Sequence, residues 1–229
     1  MEKNFKNFFN KKKYKYKKYL LAVSGGVDSM VLLYIFNNIL KLNISVINCF
    51  YNINKENLKN SKKVYNFCKE KKIKFFFKSF NTKKFSKEKK ISIQMAAREL
   101  RYNFFKKVLK KKKFYKIILG HHIDDNIETF FINLCRISGI YGLKGINIKN
   151  KYLLRPYLKF NIDKKKILKY AKIKKIKWQE DISNFSNIYL RNKIRNLIIP
   201  NFNKIFKKFN FLINKSISNL NLEYKLIKN

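Results

Sequence analysis

Tyr19-Leu20-Leu21-Ala22-Val23-Ser24-Gly25-Gly26-Val27-Asp28-Ser29-Met30 decides the fold class of this chain. Tyr19 to Val23 is a short apolar run of the kind that forms a buried strand, and Ser29 to Leu42 reads as a helix with Met30, Leu33, Ile39 and Leu40 available to pack. Between them, two glycines let the backbone turn tightly and aim several N–H groups at one point. Ser24, Ser29 and the helix N-terminus add donors and the positive end of a dipole. Ser24, Gly25, Gly26, Val27, Asp28 and Ser29 are therefore expected to cradle an anion, the alternative being an ordinary glycine turn in which Asp28 caps the helix. The segment lacks the Gly-Lys-Ser/Thr ending of a Walker loop, which disfavours a simple γ-phosphate hydrolase.

Outward from this turn, strand and helix alternate. Ile44 to Phe50 predicts a second strand, Asn57 to Lys72 a basic helix with Val64, Phe67 and Cys68 inward, and Ile73 to Phe80 a third strand. A polar, Lys-rich loop should lead to a helix over Ile93 to Lys110 with Leu100, Phe104 and Val108 as its core stripe. The strand Lys116 to Gly120 and a helix from Asp124 to Ser138, closed by Gly139, complete the pattern. Such alternation implies an α/β fold with a doubly wound parallel sheet and ligands at the carboxyl ends of its strands. Beyond Gly145 the expectations are a short strand within Tyr152 to Leu158, a basic helix over Ile162 to Lys174 and a helical C-terminal extension over Asn203 to Ile227. The organisation expected is a basic N-terminal segment (1–18), a catalytic domain (19–200) and a helical tail (201–229).

The 55 Lys and Arg against 13 Asp and Glu give a net charge of +42, which draws a chain to polyphosphate by counterion release. Lys, Asn, Ile, Phe and Tyr all have AT-rich codons, so genomic drift produces the same composition, and the spread of Lys specifies no site. No apolar run is long enough to span a membrane. Cys49, Cys68 and Cys135 are odd in number and in no metal or disulfide spacing. A soluble cytoplasmic protein with reduced thiols is expected.

Against this bias the scarce residues are informative. Gly120-His121-His122-Ile123-Asp124-Asp125-Asn126-Ile127-Glu128-Thr129 gathers three acids and the chain's only two histidines at a strand-to-helix junction. Asp125 and Glu128 lie at i, i+3 and Asp124 and Glu128 at i, i+4, so one helix face presents converging negative charge. That face suits magnesium or a cationic substrate, although acids also favour helix N-termini. In Ser92 to Tyr102, Arg98 and Arg101 share a face one turn apart, either to hold phosphate or to pair with an acid such as Glu99. Glu180-Asp181-Ile182-Ser183-Asn184 and then Tyr189-Leu190-Arg191-Asn192-Lys193-Ile194-Arg195 place an acidic turn before an arginine-bearing segment.

The Ser24–Ser29 loop resembles the signature of the ATP pyrophosphatases, which cleave ATP between its α and β phosphates. From about Leu20 to Pro200 the chain is similar to the tRNA(Ile)-lysidine synthetase family in particular. The resemblance rests on the loop, the S-x-Q-x-A-A-R-E-x-R-Y helix, the G-H-H-x-D-D-x-x-E-T segment, Arg136 to Gly145, Arg155-Pro156, and E-D-x-S-N with Y-x-R-N-x-I-R. It implies an adenine-nucleotide α-hydrolase-like, Rossmann-like fold. The implied reaction joins free L-lysine to C2 of the wobble cytidine in the CAU anticodon of an isoleucine tRNA, with ATP and Mg2+. Asp28, Arg98, Asp124, Asp125 and Glu128 are the catalytic candidates, Asp125 and Glu128 for lysine and Asp28 and Asp124 for magnesium. Arg101, Arg136, Arg191 and Arg195 are candidates for tRNA or phosphate contact, and a homodimer is compatible with the resemblance. Two departures stand out. Cys49-Phe50-Tyr51-Asn52 replaces the family's usual H-x-x-H, and only 29 residues follow Pro200 where many members continue into further tRNA-binding domains, so tRNA discrimination is expected from a smaller surface. Rival readings are a thiolating relative, disfavoured by the absence of cysteine pairs, and a catalytically silent tRNA-binding remnant.

Overall fold

A computed structural model of the chain describes residues 1–52, 56–179, 187 and 189–228, with the backbone alone for 56, 57 and 228. The expected Glu180-to-Asn184 turn lies outside these residues. The chain divides into two compact units, one of Met1–Gly120, Lys149–Pro156 and Lys165–Gln179, the other of His121–Ile148, Tyr157–Lys164 and Glu180–Asn229. In chain order the helices are α1 (Glu2–Phe9), α2 (Lys12–Lys15), α3 (Val27–Tyr34), α4 (Glu56–Glu70), α5 (Thr82–Lys89), α6 (Ile93–Lys111), α7 (Ile123–Leu134), α8 (Ile140–Leu143), α9 (Pro156–Lys159), α10 (Lys164–Ile173), α11 (Leu190–Lys193), α12 (Ile199–Ile205) and α13 (Phe209–Lys228).

The first unit is built on five parallel strands, β1 (Tyr19–Ala22), β2 (Ile44–Phe50), β3 (Lys74–Ser79), β4 (Lys116–Ile118) and β5 (Leu153–Leu154), in the order β3-β2-β1-β4-β5. The chain steps outward from β1 to β3 and then crosses to β4 and β5 on the other side. The order therefore reverses between β1 and β4, the position at which doubly wound sheets open a crevice beyond their carboxyl ends. β1 is central, Leu21 registering with Val46 on one edge and Ile118 on the other, and Tyr19, Leu20 and Leu21 on its alternating faces are all buried.

Several elements depart from the expected pattern. The basic 1–18 segment also packs: Phe5 and Phe9 of α1 are buried, and Phe9 lies at 4.8 Å from Phe36 and 5.7 Å from Tyr19 between ring centroids. The Lys-rich stretch after β3 contains a helix, α5, because the Asn81 side chain accepts the Lys84 N–H at 3.1 Å as an N-cap. α6 turns Ala96, Phe105, Val108 and Leu109 inward, so Phe105 and not Phe104 belongs to the buried stripe. The helix after the glycine turn widens into a π-helical turn over Ile35–Ile39 and is left through Lys41 in the left-handed region. The strand expected within Tyr152 to Leu158 is only Leu153–Leu154, since Pro156 starts α9 at once.

The second unit is helical. Ile127, Ile194 and Ile199 form its core, and Phe131, Phe202 and Phe209 stack beside it with Phe202 and Phe209 at 4.8 Å. The terminal tract is two helices, α12 and α13, separated by Lys208 at φ 64°. Among the described residues no helix is long and apolar enough to cross a membrane. If α1 is structural, Phe9→Ala should destabilise the first unit by about 3 kcal/mol or more, as for other buried Phe truncations; an unchanged melting temperature would show the segment to be dispensable.

Candidate functional site

In the first unit the glycine turn is over-determined. Gly25 has φ +97°, a backbone conformation that any Cβ would strain, and its carbonyl accepts the Gln179 N–H at 3.0 Å. Ser29 closes the turn from inside: its N–H and Oγ both donate to the Gly26 carbonyl, at 3.1 and 2.9 Å, and its Oγ accepts the Ser24 N–H at 3.2 Å. Ser24 is left exposed at the mouth of the turn, next to the first turn of α3. Below the turn, Asn48 of β2 donates from Nδ2 to the Val23 carbonyl at 2.7 Å and accepts from the Ser61 hydroxyl at 2.8 Å, both side chains buried. The sequence reading does not single out Asn48 or Ser61. Their only signal is a polar residue inside an otherwise apolar strand. The backbone of Gly120, at the end of β4, passes so close that a Cβ there would lie 3.4 Å from Asp28. The turn after β1 and the end of β4 thus meet where the strand order reverses.

Also in this unit, Arg98 and Arg101 of α6 flank Tyr102, their guanidinium carbons 5.0 and 5.3 Å from its ring centre. Arg155, buried just after β5, hydrogen-bonds Tyr102, and burial together with the nearby Arg98 and Arg101 lowers its pKa. Neither Arg98 nor Arg101 forms an ion pair with Glu99 among the described residues. In the Cys49-to-Asn52 stretch that departs from H-x-x-H, the Tyr51 hydroxyl is close enough to Cys49 and Arg101 to interact with both, and burial raises its pKa. Burial pushes the Cys49 thiol up to about 11, so it is a protonated packing group at neutral pH.

The second unit assembles the acidic cluster. His122 stands at the N-cap of α7, its N–H donating to Asp125 Oδ2 at 3.0 Å and its Nδ1 lying 3.2 Å from Asp124 Oδ2. Asp124 Oδ2 also accepts the Lys164 N–H at 2.8 Å. Burial raises the pKa of both aspartates, but His122 with the Lys164 amide for Asp124, and His122, His121 and Arg191 for Asp125, outweigh it and hold both below the ordinary range. Both are ionised at neutral pH.

Glu128, fully buried, is occupied on both oxygens: Arg191 Nε at 2.6 Å on Oε2, Arg195 Nε at 2.6 Å on Oε1 and Arg195 Nη2 at 3.0 Å on Oε2. Arg191 also donates to the Thr129 hydroxyl at 3.1 Å, and both guanidiniums stand 3.8 and 3.9 Å from Asp125 Oδ1. A carboxylate 63 and 67 residues away in sequence therefore fixes both arginines, gripping Arg195 through two parallel charge-assisted hydrogen bonds. Arg136 is exposed beyond α7 and takes no part in this cluster. The expected site residues thus fall into two groups, Ser24–Ser29 with Arg98 and Arg101 in the first unit, and Asp124, Asp125, Glu128, Arg191 and Arg195 in the second. Among the described residues no three His, Cys, Asp or Glu side chains gather in metal-binding geometry.

A family model for the PP-loop domain matches residues 1–202. The chain belongs to the PP-loop family. The Ser24–Ser29 turn lies within the matched residues. The chain is similar to the tRNA(Ile)-lysidine synthases of Petrotoga mobilis (37% identical over 198 residues, 85% of this chain and 63% of that protein) and Thermosipho africanus (37% over 201 residues, 86% and 46%). The enzyme of that name from Chlorobaculum tepidum is 38% identical over 185 residues, 79% of this chain and 55% of that protein. The chain thus spans between 46% and 63% of the length of these curated relatives. Among solved structures, the U34-tRNA thiolase NcsA of Methanococcus maripaludis has the same fold with a TM-score of 0.74 at 18% identity, covering 96% of this chain and 77% of that one. The NH3-dependent NAD synthetase of Campylobacter jejuni follows with 0.58 at 16%, covering 96% and 93%.

Because Glu128 is buried beneath two guanidiniums, Glu128→Gln should lower the stability of the second unit by on the order of 1–3 kcal/mol, since one charge-assisted partner is lost while shape is kept. Thermal melts test this. An unchanged melting temperature would mean that the Arg191 and Arg195 contacts do not hold the unit together.

Proposed function

We propose that the protein is an ATP-dependent tRNA-modifying ligase that joins the ε-amine of free lysine to C2 of the wobble cytidine in the CAU anticodon of tRNA(Ile), with release of AMP and pyrophosphate, changing decoding from AUG to AUA. The similarity at 37–38% identity to proteins named tRNA(Ile)-lysidine synthase, over most of this chain, carries the reading. The Ser24–Ser29 turn supports the ATP half of it. Its inward-tied Ser29 and outward Ser24 leave N–H groups and a hydroxyl for phosphate oxygens, and the loop ends in no Walker lysine, which suits attack at the α-phosphorus over γ-phosphate hydrolysis. A thiolase of the kind solved with a [4Fe-4S] cluster shares the fold, but Cys49, Cys68 and Cys135 fall in no paired spacing.

In this reading the cytidine O2 attacks the α-phosphorus and the O–P bond to pyrophosphate breaks, leaving an adenylated base. The lysine ammonium releases a proton to solvent, the free amine attacks C2, and AMP departs with the base oxygen while a second proton leaves the new C–N nitrogen to solvent. Magnesium, when bound, neutralises the phosphates. Because that ion prefers one or two carboxylates together with phosphate oxygens and water, a single carboxylate is a sufficient protein contribution, with Asp28 the candidate in the first unit and Asp124 the candidate in the second. Arg98 is assigned to the charge that develops on phosphate. Asp125, held ionised by His122, His121 and Arg191, is assigned to the lysine ammonium, and its lowered pKa makes it a better holder of that charge than a base for its proton. Glu128, the other lysine candidate, has both oxygens on Arg191 and Arg195 and is assigned to orienting those arginines for tRNA phosphate.

Purified protein incubated with ATP, magnesium, radiolabelled lysine and tRNA should label tRNA only when ATP is present, with AMP and pyrophosphate as products. Stoichiometric ADP and phosphate would refute the assignment. Asp28→Ala and Ser24→Ala should lose turnover with unchanged circular dichroism, and full activity in both would remove the phosphate-cradle role. Asp125→Asn should weaken apparent lysine affinity by about one to two decades, the cost of one charge-assisted hydrogen bond, with ATP dependence little changed. A shift confined to the magnesium titration would instead assign Asp125 to the metal.

A further inference from the structure

The first unit has a concavity that the proposed chemistry leaves unused. It is a groove of about 920 Å³ between α3, α4 and the stretch 174–179, lined by the backbone side of Gly25, by Tyr34, Phe67 and Trp178, and by lysines. Its volume lies within the range of small-ligand clefts, large enough for one nucleotide. Its charge is unevenly balanced. Lys71 is paired with Glu70 at 2.8 Å and Lys174 with Glu2 at 3.0 Å, so those two charges are met locally. Lys63, Lys175 and Lys177, also in the lining and exposed, have no carboxylate partner among the described residues. Lysines are scattered over this whole chain, but here three unbalanced ones rim a concave surface that also holds the only tryptophan, itself half-buried.

We infer that this groove receives one unstacked nucleotide of the RNA substrate, its base against Trp178 and its flanking phosphates on Lys63, Lys175 and Lys177. The aromatic lining meets the π-face that every base offers, and the ammonium groups meet the backbone, the combination by which proteins hold single-stranded nucleic acid without reading its sequence. Position adds a consequence. The Gln179 N–H bonded to the Gly25 carbonyl at 3.0 Å ties the wall next to Trp178 to the left-handed residue of the Ser24–Ser29 turn, so an occupant of the groove bears on the same peptide that shapes the phosphate cradle. The inference rests on RNA being the substrate and is independent of which group is transferred to it.

Trp178 reports on the groove by itself, because no other tryptophan contributes to the emission. The full chain is titrated with a tRNA transcript in the absence of ATP and lysine, so that failure of the ligase reaction leaves this measurement intact. The transcript should quench Trp178 in a saturable way. A Lys63→Gln, Lys175→Gln, Lys177→Gln variant should bind roughly tenfold more weakly, with a salt slope shallower by about two, as expected when that many phosphate contacts are lost. Trp178→Leu, its fold checked by circular dichroism, should also bind roughly tenfold more weakly by filter retention, on the order of one lost stacking contact. RNA that binds without changing the Trp178 emission, or with wild-type affinity in the lysine variant, would overturn the proposal. So would ATP alone producing the full quench, which would give the groove to the free nucleotide.

Discussion

Everything that the first unit offers a ligand depends on one peptide turn. At Gly25 the chain must leave β1, reverse into the left-handed region and enter α3 within a few residues, and a side chain there would be strained whatever space surrounded it. Such a turn would be soft if it hung on glycines alone. It is instead tied from four directions, by Ser29 from the helix, by Asn48 and Ser61 from β2 and α4, by Gln179 from the far wall and by the close passage of Gly120. Preorganisation of this kind matters for anion binding, because N–H groups that are already aimed need no reordering when the phosphate arrives.

The second unit relies on a different constraint. A carboxylate with no exposed surface is costly unless its charge is met and its lone pairs filled, and Glu128 satisfies both conditions with two arginines brought in from α11 and the turn after it. One acid under two guanidiniums leaves a local excess of positive charge, partly offset by Asp125 at 3.8 and 3.9 Å. The arginines are consequently oriented and still more than a third exposed, which is the state in which a phosphate-binding side chain is most useful.

How much of this is legible in the sequence depends on the range of the interaction. The first four strands and the glycine turn follow from local apolar runs and from Ser24 to Ser29, and the structure has them in the expected parallel sheet. Local reading fails where a pattern is hidden by composition or by distance. Phe5 and Phe9 sit among lysines and read as part of a charged leader, yet their spacing of four residues puts both on one face of α1. Asn81 turns a Lys-rich stretch into α5 through a single cap, a signal easily lost in so polar a segment. The short strand expected within Tyr152 to Leu158 is present as β5, and only its length is hidden, because Pro156 starts α9 after two residues. The Glu128 cluster is only half visible. Its acid and its arginines each stand out, but nothing local joins residues separated by 63 and 67 positions.

Composition itself acquires meaning only through this placement. A net charge of +42 is equally compatible with drift and with selection for polyanion binding, and the lysines taken together cannot decide. Geometry separates them into classes with different physics. Lys71 and Lys174 are neutralised by neighbouring acids, and Lys144 is buried with its ammonium 3.5 Å from the centre of the Tyr224 ring. Of those lysines only Lys144 is packed inside, the other two being met by acids at the surface. Lys63, Lys175 and Lys177 differ in lining a concave surface with no carboxylate partner among the described residues. If the groove holds a phosphate-bearing strand as proposed, contact with these lysines releases counterions, and each of them then bears on RNA affinity where a locally neutralised lysine does not.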